Sequence, residues 1–85
     1  MNLEKIKEIV DGFLVTEFEA DENSISNDVN MKDTLGLDSL DYIDMVVIIE
    51  SHFGVKLGEA DFKQTKTFND FYVMIQEKIQ EKITA

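Results

Sequence analysis

The chain has 85 residues, enough for one hydrophobic core but not for two, and its charge balance is strongly acidic. Eighteen acidic residues against eight basic ones, all of them lysine, give a formal net charge of −10 at pH 7. This charge argues against nucleic-acid binding, because neutralising phosphates requires a basic surface. The absence of cysteine excludes disulfides and thiolate metal sites, so any thiol chemistry must come from an attached group.

The sequence shows no sign of export or of membrane insertion. Residues 1–13 lack the long apolar core and the small-residue cleavage site of a secretory signal. No run approaches the roughly 18 apolar residues that would span a bilayer. We therefore expect a monomeric cytoplasmic protein, with residues 1–85 forming a single domain.

The first predicted element is an amphipathic helix at about residues 3–16. Its apolar side chains recur at helical spacing, namely Leu3, Ile6, Ile9, Val10, Phe13 and Leu14. Asn2 precedes this pattern and is suited to cap the helix through its side chain. Residues 19–37 have no sustained period and are rich in turn-forming residues. We expect an ordered loop there that contains a single helical turn.

Two further long helices and one short helix follow. Residues Ser39–Phe53 are again periodic, with Asp38 at the N-cap position and Gly54 at the C-cap. A single turn of helix is predicted near residues 59–63. Thr67 and Asp70 have capping-box spacing, and the last helix, to about residue 83, has the stripe Phe68, Phe71, Tyr72, Ile75, Ile79 and Ile83. These patterns predict an all-α fold, a small bundle of three main helices and one short helix with a long first loop.

The helix that begins at Ser39 has apolar side chains on two faces. One stripe has the spacing of a core face and consists of Tyr42, Met45, Val46, Ile49 and Phe53. The second stripe, Leu40, Ile43 and Val47, lies beside acidic residues, namely Asp41, Asp44 and Glu50. Such a helix is either buried on both faces or exposes one apolar face to which a partner can bind. Because buried carboxylates are costly unless paired, the acids favour a partner.

Other chemistry finds little support in the residues. A nucleophilic Ser39 would need a base, but the only histidine, His52, lies 13 residues along the same helix, about 20 Å away. The acidic stretch 21–32 lacks the glycine and the glutamate of an EF-hand, since Lys32 occupies its twelfth position. We expect neither catalytic nor metal-ligating residues.

The segment Gly36-Leu37-Asp38-Ser39-Leu40-Asp41 resembles the phosphopantetheine attachment motif of the acyl carrier protein family, whose core is Asp-Ser-Leu. The resemblance extends from Asp33 through Phe53 to the capped last helix. It implies that Ser39 receives 4′-phosphopantetheine from coenzyme A, with Asp38 as a motif residue and helix cap. An attached phosphate would face unpaired backbone N–H groups and the positive end of the helix dipole.

The resemblance also implies a carrier rather than an enzyme. Acyl groups would be held as thioesters on the arm between enzymes of fatty-acid or polyketide-type biosynthesis. Its implied partners are a phosphopantetheinyl transferase (holo-ACP synthase) and acyl-transfer, ketosynthase and related enzymes with basic docking faces. We expect these partners to contact Leu40, Asp41, Ile43, Asp44, Val47 and Glu50. The family further implies an inner acyl pocket, in which we place Tyr42, Val46 and Ile49, with Tyr42 restricting entry.

Two alternatives remain open. Three positions depart from the common fatty-acid carrier pattern: Gly58 replaces a frequent proline, Thr65 a branched apolar residue and Tyr42 a smaller side chain. These departures allow a specialised carrier, for example for D-alanine, another amino acid or an unusual polyketide. An acidic interaction module that is never modified would have the same fold.

Overall fold

Five α-helices and one 3₁₀ turn occupy residues 2–84, the part of the chain that the computed structural model describes. The elements are α1 Leu3–Phe18, the 3₁₀ turn Glu22–Ser24, α2 Met31–Leu35, α3 Ser39–Phe53, α4 Glu59–Gln64 and α5 Phe68–Thr84. Side chains are described for residues 2–82, so the predicted place of Ile83 in the last stripe lies outside the described residues. Three of these helices are long, which confirms the predicted all-α bundle.

Local side-chain caps start the long helices where the sequence predicted. Asn2 Oδ1 accepts a hydrogen bond from Lys5 N at 2.8 Å at the start of α1. Before α5, Asp70 N donates to Thr67 Oγ1 and Thr67 N donates to Asp70 Oδ2, both at 3.1 Å. The backbone N–H groups of Thr67 and Lys66 hold the pKa of Asp70 below its usual range. Aspartate therefore serves in this capping box as glutamate does in the common form.

The connection between α1 and α3 contains more helix than the single turn predicted from the sequence. It holds both the 3₁₀ turn and α2, which Asn30 caps by accepting from Asp33 N at 2.9 Å. The side chain of Met31 is fully buried, and its N–H donates to Lys66 O at 2.8 Å. The prediction was wrong here because a five-residue helix is too short to show a helical period.

The hydrophobic core draws residues from all five helices, including Phe62 of α4, and from the connection between α3 and α4, which contributes Val55 and Leu57. Its fully buried apolar side chains are Ile6, Val10, Leu14, Met31, Met45, Ile49, Phe68, Phe71 and Ile75. The most extensive helix–helix contact is that of α1 with α5. Tyr72 of α5 links the two helices, because its hydroxyl donates to Asp11 Oδ1 at 2.5 Å and accepts from Lys7 Nζ at 3.4 Å. Burial, together with the Asp11 carboxylate, raises the pKa of Tyr72.

The short helix α4 is fastened by Asp61, and this explains two departures from the family pattern. Gly58 N donates to Asp61 Oδ2 at 2.8 Å, a hydrogen bond that proline has no N–H to make. The buried Thr65 donates from Oγ1 to Asp61 O at 2.8 Å. The Asp61 carboxylate also lies 3.4 Å from Lys78 Nζ of α5. Gly58 and Thr65 thus hold the two ends of α4 through Asp61, and the ion pair of Asp61 with Lys78 connects this helix to α5.

Candidate functional site

Ser39 is the first residue of α3, and its side chain is exposed. Asp38 Oδ1 accepts from Asp41 N at 3.0 Å, and Asp41 Oδ2 accepts from Asp38 N at 3.2 Å. This reciprocal capping box gives Asp38 the predicted N-cap position. It also engages Asp41, which the sequence had assigned to the partner face. The Ser39 hydroxyl consequently lies at a fixed helix start, near the positive end of the α3 dipole.

An open groove of about 540 Å³ borders Ser39 and separates α3 from α4. Its lining residues are Lys32, Ser39, Tyr42, Ile43, Val46, Leu57, Gly58, Glu59, Phe62 and Lys63. Apolar and aromatic side chains form most of the wall, whereas charged groups stand at its edge. Lys63 Nζ is 3.6 Å from Glu59 Oε1, an exposed pair of α4. A flexible apolar chain attached at Ser39 could therefore lie along a wall of matching polarity.

The structure brings two of the three expected pocket residues to this groove. Tyr42 and Val46 lie in its wall. Ile49 is instead fully buried in the core, one turn further along α3, and is not among the described residues that line the groove. Ile43, expected on the partner face, borders the groove while its side chain remains 60% exposed. The groove and the outer face of α3 therefore meet at Ile43.

Tyr42 places a polar group in the wall of the groove. Its ring lies against that of Phe62, with centroids 5.1 Å apart. Its hydroxyl is buried and makes no hydrogen bond to any described part of the chain. Burial and, secondarily, the Asp41 carboxylate raise the pKa of Tyr42, so the hydroxyl keeps its proton and remains a donor.

The outer face of α3 concentrates exposed apolar surface. Leu40, Ile43 and Val47 are 71%, 60% and 63% exposed, far more than the next large apolar side chains at 37%. Asp44 and Glu50 beside them are exposed as well. No lysine occurs within Ser39–Phe53, so the helix itself supplies no ammonium group to offset these carboxylates. An unpartnered apolar stripe framed by one sign of charge is typical of a docking surface.

The sequence missed the groove residues that come from outside α3. Leu57 and Phe62 form part of the apolar wall, and Lys32 and Lys63 stand at the edge. Their common position results from the packing of α4 and α2 beside α3, and a local hydrophobic period contains no information about such packing. The one available signal was Lys32 itself, an isolated cation in an acidic stretch.

His52 and the acidic side chains offer no competing site. The imidazole of His52 stacks on the ring of Phe13, with centroids 5.8 Å apart and planes inclined by 13°. Within the described residues, no cluster of three or more histidine, aspartate or glutamate side chains is placed to hold a metal ion. In the same part of the chain, no helix has the length and apolar character needed to cross a membrane.

Comparisons with known proteins agree with this geometry. A family model described as a phosphopantetheine attachment site matches residues 5–75. The chain is 34% identical over 76 residues to the acyl carrier protein of Thermotoga maritima, covering 89% of this chain and 94% of that protein. It is 32% identical to the acyl carrier protein of Petrotoga mobilis over 76 residues, covering 89% and 85%. The acyl carrier protein of Onion yellows phytoplasma is 35% identical over 75 residues, covering 86% and 93%.

The chain belongs to the acyl carrier protein family. Members are carriers rather than enzymes, and they bear a covalently attached 4′-phosphopantetheine group, which supplies the thiol that this chain lacks. The residues present fit that group: an exposed serine hydroxyl at a helix start borders a groove with a mostly apolar wall, and Lys32 lines the same groove. Family membership also implies contact with a phosphopantetheinyl transferase and with biosynthetic enzymes in general.

Proposed function

We propose that Ser39 carries the phosphopantetheine group, and that the protein transports acyl thioesters in the cytoplasm between enzymes of fatty-acid or polyketide-type biosynthesis. The observation that carries this proposal is the position of Ser39. It is exposed, begins α3 and borders the apolar groove. The other serines of the sequence, Ser24, Ser26 and Ser51, stand outside the Asp-Ser-Leu motif and do not line that groove.

The modification transfers phosphopantetheine from coenzyme A to Ser39 Oγ: an O–P bond forms, the pyrophosphate bond of coenzyme A breaks, and the adenosine bisphosphate half of coenzyme A leaves. The hydroxyl proton needs a base, and this part of the chain supplies none. The carboxylates of Asp38 and Asp41 already accept backbone hydrogen bonds in the capping box, and His52 stacks on Phe13 near the far end of α3. We infer that the partner transferase supplies the base.

The surroundings of Ser39 favour a phosphodiester once it is formed. The N-terminal backbone N–H groups of α3 point toward this end of the helix, where negative charge is stabilised. Lys32, exposed and at the edge of the groove, adds positive charge on the same side. In a chain of net charge −10, these are the features that offset repulsion of the phosphate.

For the enzymes that modify and use the carrier, we propose docking on the outer face of α3. Its exposed apolar residues Leu40, Ile43 and Val47 would form the centre of the contact. Asp44 and Glu50 would attract a basic partner surface and raise the association rate. Asp41 contributes its charge to the same field while its carboxylate remains in the capping box.

Intact-mass measurement after incubation with coenzyme A and a broad-specificity phosphopantetheinyl transferase tests the attachment site. The parent chain should gain one phosphopantetheine group, and Ser39→Ala should gain none. Ser51→Ala, which alters an exposed serine of the same helix, is the matched control and should be modified like the parent. A mass gain that persists in Ser39→Ala would refute the assignment. An unmodified parent would favour the acidic interaction module instead.

A further inference from the structure

The two tyrosines of the chain differ in how their hydroxyl groups are satisfied. Tyr72 donates to Asp11 and accepts from Lys7 in the contact between α1 and α5. Tyr42, in the groove wall one turn from Ser39, has a buried hydroxyl with no hydrogen-bond partner in the described part of the chain. Buried polar atoms in native proteins nearly always have a partner, so this unpaired donor requires an explanation.

The unpaired hydroxyl is costly in the groove as the structure shows it. In this state the ring packs against Phe62 and the hydroxyl is shielded from solvent. Any movement that widens the groove between α3 and α4 would expose the donor and relieve the penalty. An attached chain that brings an acceptor oxygen to this hydroxyl would relieve the same penalty.

The chemistry of the donor defines what would satisfy it. The raised pKa of Tyr42 keeps the hydroxyl neutral, and a neutral donor in an apolar wall is best matched by a neutral acceptor. A carboxylate would have to be desolvated in the same wall, at higher cost. Carbonyl oxygens, in contrast, occur in the amides of a pantetheine arm, in its thioester and in partly processed acyl groups.

We propose that the Tyr42 hydroxyl donates a hydrogen bond to a carbonyl oxygen of the arm or its acyl cargo within the groove between α3 and α4. If the acceptor belongs to the acyl group, Tyr42 favours carbonyl-bearing cargo over purely aliphatic cargo; if it belongs to the arm, Tyr42 binds every loaded form alike. This inference rests on the proposed attachment at Ser39. It does not depend on which biosynthetic pathway uses the carrier.

The test compares the parent, Tyr42→Phe and Tyr72→Phe in four forms: apo, holo, octanoyl and 3-oxooctanoyl. Both acyl groups are attached through non-hydrolysable amide analogues, and intact mass establishes loading first. The readout is the melting-temperature shift of each loaded form relative to the apo form of the same variant. In parallel, the ¹³Cζ resonances of the two tyrosines report hydrogen bonding at each hydroxyl directly.

We expect loading to shift the Tyr42 ¹³Cζ resonance and to leave that of Tyr72 in place. Tyr42→Phe should lose most of the parental melting shift, whereas Tyr72→Phe, although less stable throughout, should keep it. A loss already seen in the holo form identifies a carbonyl of the arm, a loss that first appears in the octanoyl form identifies the carbonyl that joins the acyl group to the arm, and a loss confined to the 3-oxooctanoyl form identifies the 3-oxo group. If Tyr42→Phe keeps the parental shift in every loaded form, the inference is overturned while attachment at Ser39 stands. If no form of the chain can be loaded, the proposed function fails first and this inference fails with it.

Discussion

The side of the bundle where α1 meets α5 and the side where α3 meets α4 are built differently. On the first side, apolar side chains are closely packed and the buried Tyr72 hydroxyl is held by Asp11 and Lys7. On the second side, an open groove separates the helices, the Tyr42 hydroxyl is unpaired, and Leu40 is 71% exposed. Both sides are folded and belong to one core, so they differ in packing and hydrogen bonding rather than in whether they are folded.

This difference shows how a small protein can assign stability to one side, where α1 meets α5, and binding to the other, where α3 meets α4. A bundle of this size buries a limited area and has little stability to spare. Unpaired donors and exposed apolar groups lower that stability; among the described residues, the one buried side-chain hydroxyl without a partner and the three most exposed large apolar side chains all lie on α3, the helix that Ser39 begins. The α1–α5 side compensates with satisfied polar groups and dense packing. Each prediction below alters one of these two sides.

The largest expected effect is that of removing each tyrosine hydroxyl in turn. Tyr72→Phe should destabilise the fold by about 1–3 kcal/mol, because it removes a buried hydrogen bond to the Asp11 carboxylate. Tyr42→Phe should leave the free energy of unfolding unchanged or raise it by up to about 1 kcal/mol, because it removes an unpaired buried group. Urea unfolding of the apo chain measures both. An equal decrease in the free energy of unfolding in the two variants would contradict the contrast between the two sides.

A pH series sharpens the same comparison. Because its folded-state pKa is raised, Tyr72 contributes stability that is present below the ordinary tyrosine pKa of 10.0 and is lost as the pH rises above it. The free energy of unfolding of Tyr72→Phe should therefore fall less steeply than that of the parent as the pH rises from neutral to alkaline. Tyr42→Phe should remove a smaller part of this dependence, because Tyr42 is less buried than Tyr72.

The next effect concerns the helix that carries Ser39. Asp38→Ala removes the side-chain acceptor for Asp41 N and should cost roughly 1 kcal/mol, within a range of about 0.5–2. Asp44→Ala, an exposed acid of the same helix outside the cap, is the control and should change stability little. Thermal unfolding at fixed pH gives both values. An unchanged midpoint in Asp38→Ala would mean that the start of α3 is held by packing alone.

A smaller and opposite effect is expected at the end of α1. Three helices end in a left-handed residue: α2 and α3 use Gly36 and Gly54, but α1 uses Glu19, with φ at 56°. A side chain in that conformation is strained, and an acid opposes the helix dipole there. Glu19→Gly should therefore stabilise the chain by about 0.5–1 kcal/mol; this figure already includes the opposing cost of the larger backbone entropy that glycine loses on folding.

Gly36→Ala is the reciprocal control for the strain at Glu19. An added Cβ there meets no atom within 4 Å, so only the backbone conformation, with φ at 61°, would resist it. Gly36→Ala should lower the melting temperature, whereas Glu19→Gly should raise it. If Glu19→Gly lowers it as well, the Glu19 side chain makes a compensating interaction that outweighs its strained backbone.

The parts of the fold that could be predicted from sequence depend on neighbouring residues. Helix periods and caps are local signals, so α1, α3 and α5 and the caps at Asp38 and Thr67 followed from the sequence. The two-sided pattern of α3 likewise predicted exposed apolar side chains on its outer face. What it could not show is that the cap would engage Asp41 as well.

Features that depend on packing between distant segments could not be predicted in this way. The groove needs Phe62 of α4 beside Tyr42 of α3, 20 residues apart in the sequence. The family resemblance implied a pocket, and helical spacing placed Tyr42 on the stripe that faces it, but neither predicted a hydroxyl without a partner. Ile49 shares the stripe of Tyr42 and yet lies wholly in the core, because it is about two helical turns beyond Tyr42 and one turn beyond Val46, the last residue of α3 that lines the groove.

Substitutions on the outer face of α3 should have the smallest effect on the stability of the fold. They should also have the largest effect on the binding of partners. Asp44→Lys combined with Glu50→Lys should leave stability nearly unchanged, because both side chains are exposed. Association with a phosphopantetheinyl transferase should slow, and its dependence on salt should flatten, because the carboxylates that attract a basic partner are gone. Ile43→Ala should instead speed dissociation, since apolar contacts mainly set the lifetime of a complex.

Glu8→Lys with Glu77→Lys changes the net charge by the same amount on two other helices, and both side chains are exposed. This control separates the two ways in which charge can act. If attraction depends only on the total charge, both double variants slow association equally; if it depends on the field beside Leu40, Ile43 and Val47, only the α3 variant does. Surface plasmon resonance over a salt series measures both rate constants. Should the α3 variant bind and be modified as fast as the parent at low ionic strength, the acids of α3 only solvate the helix, and partners dock elsewhere on the bundle.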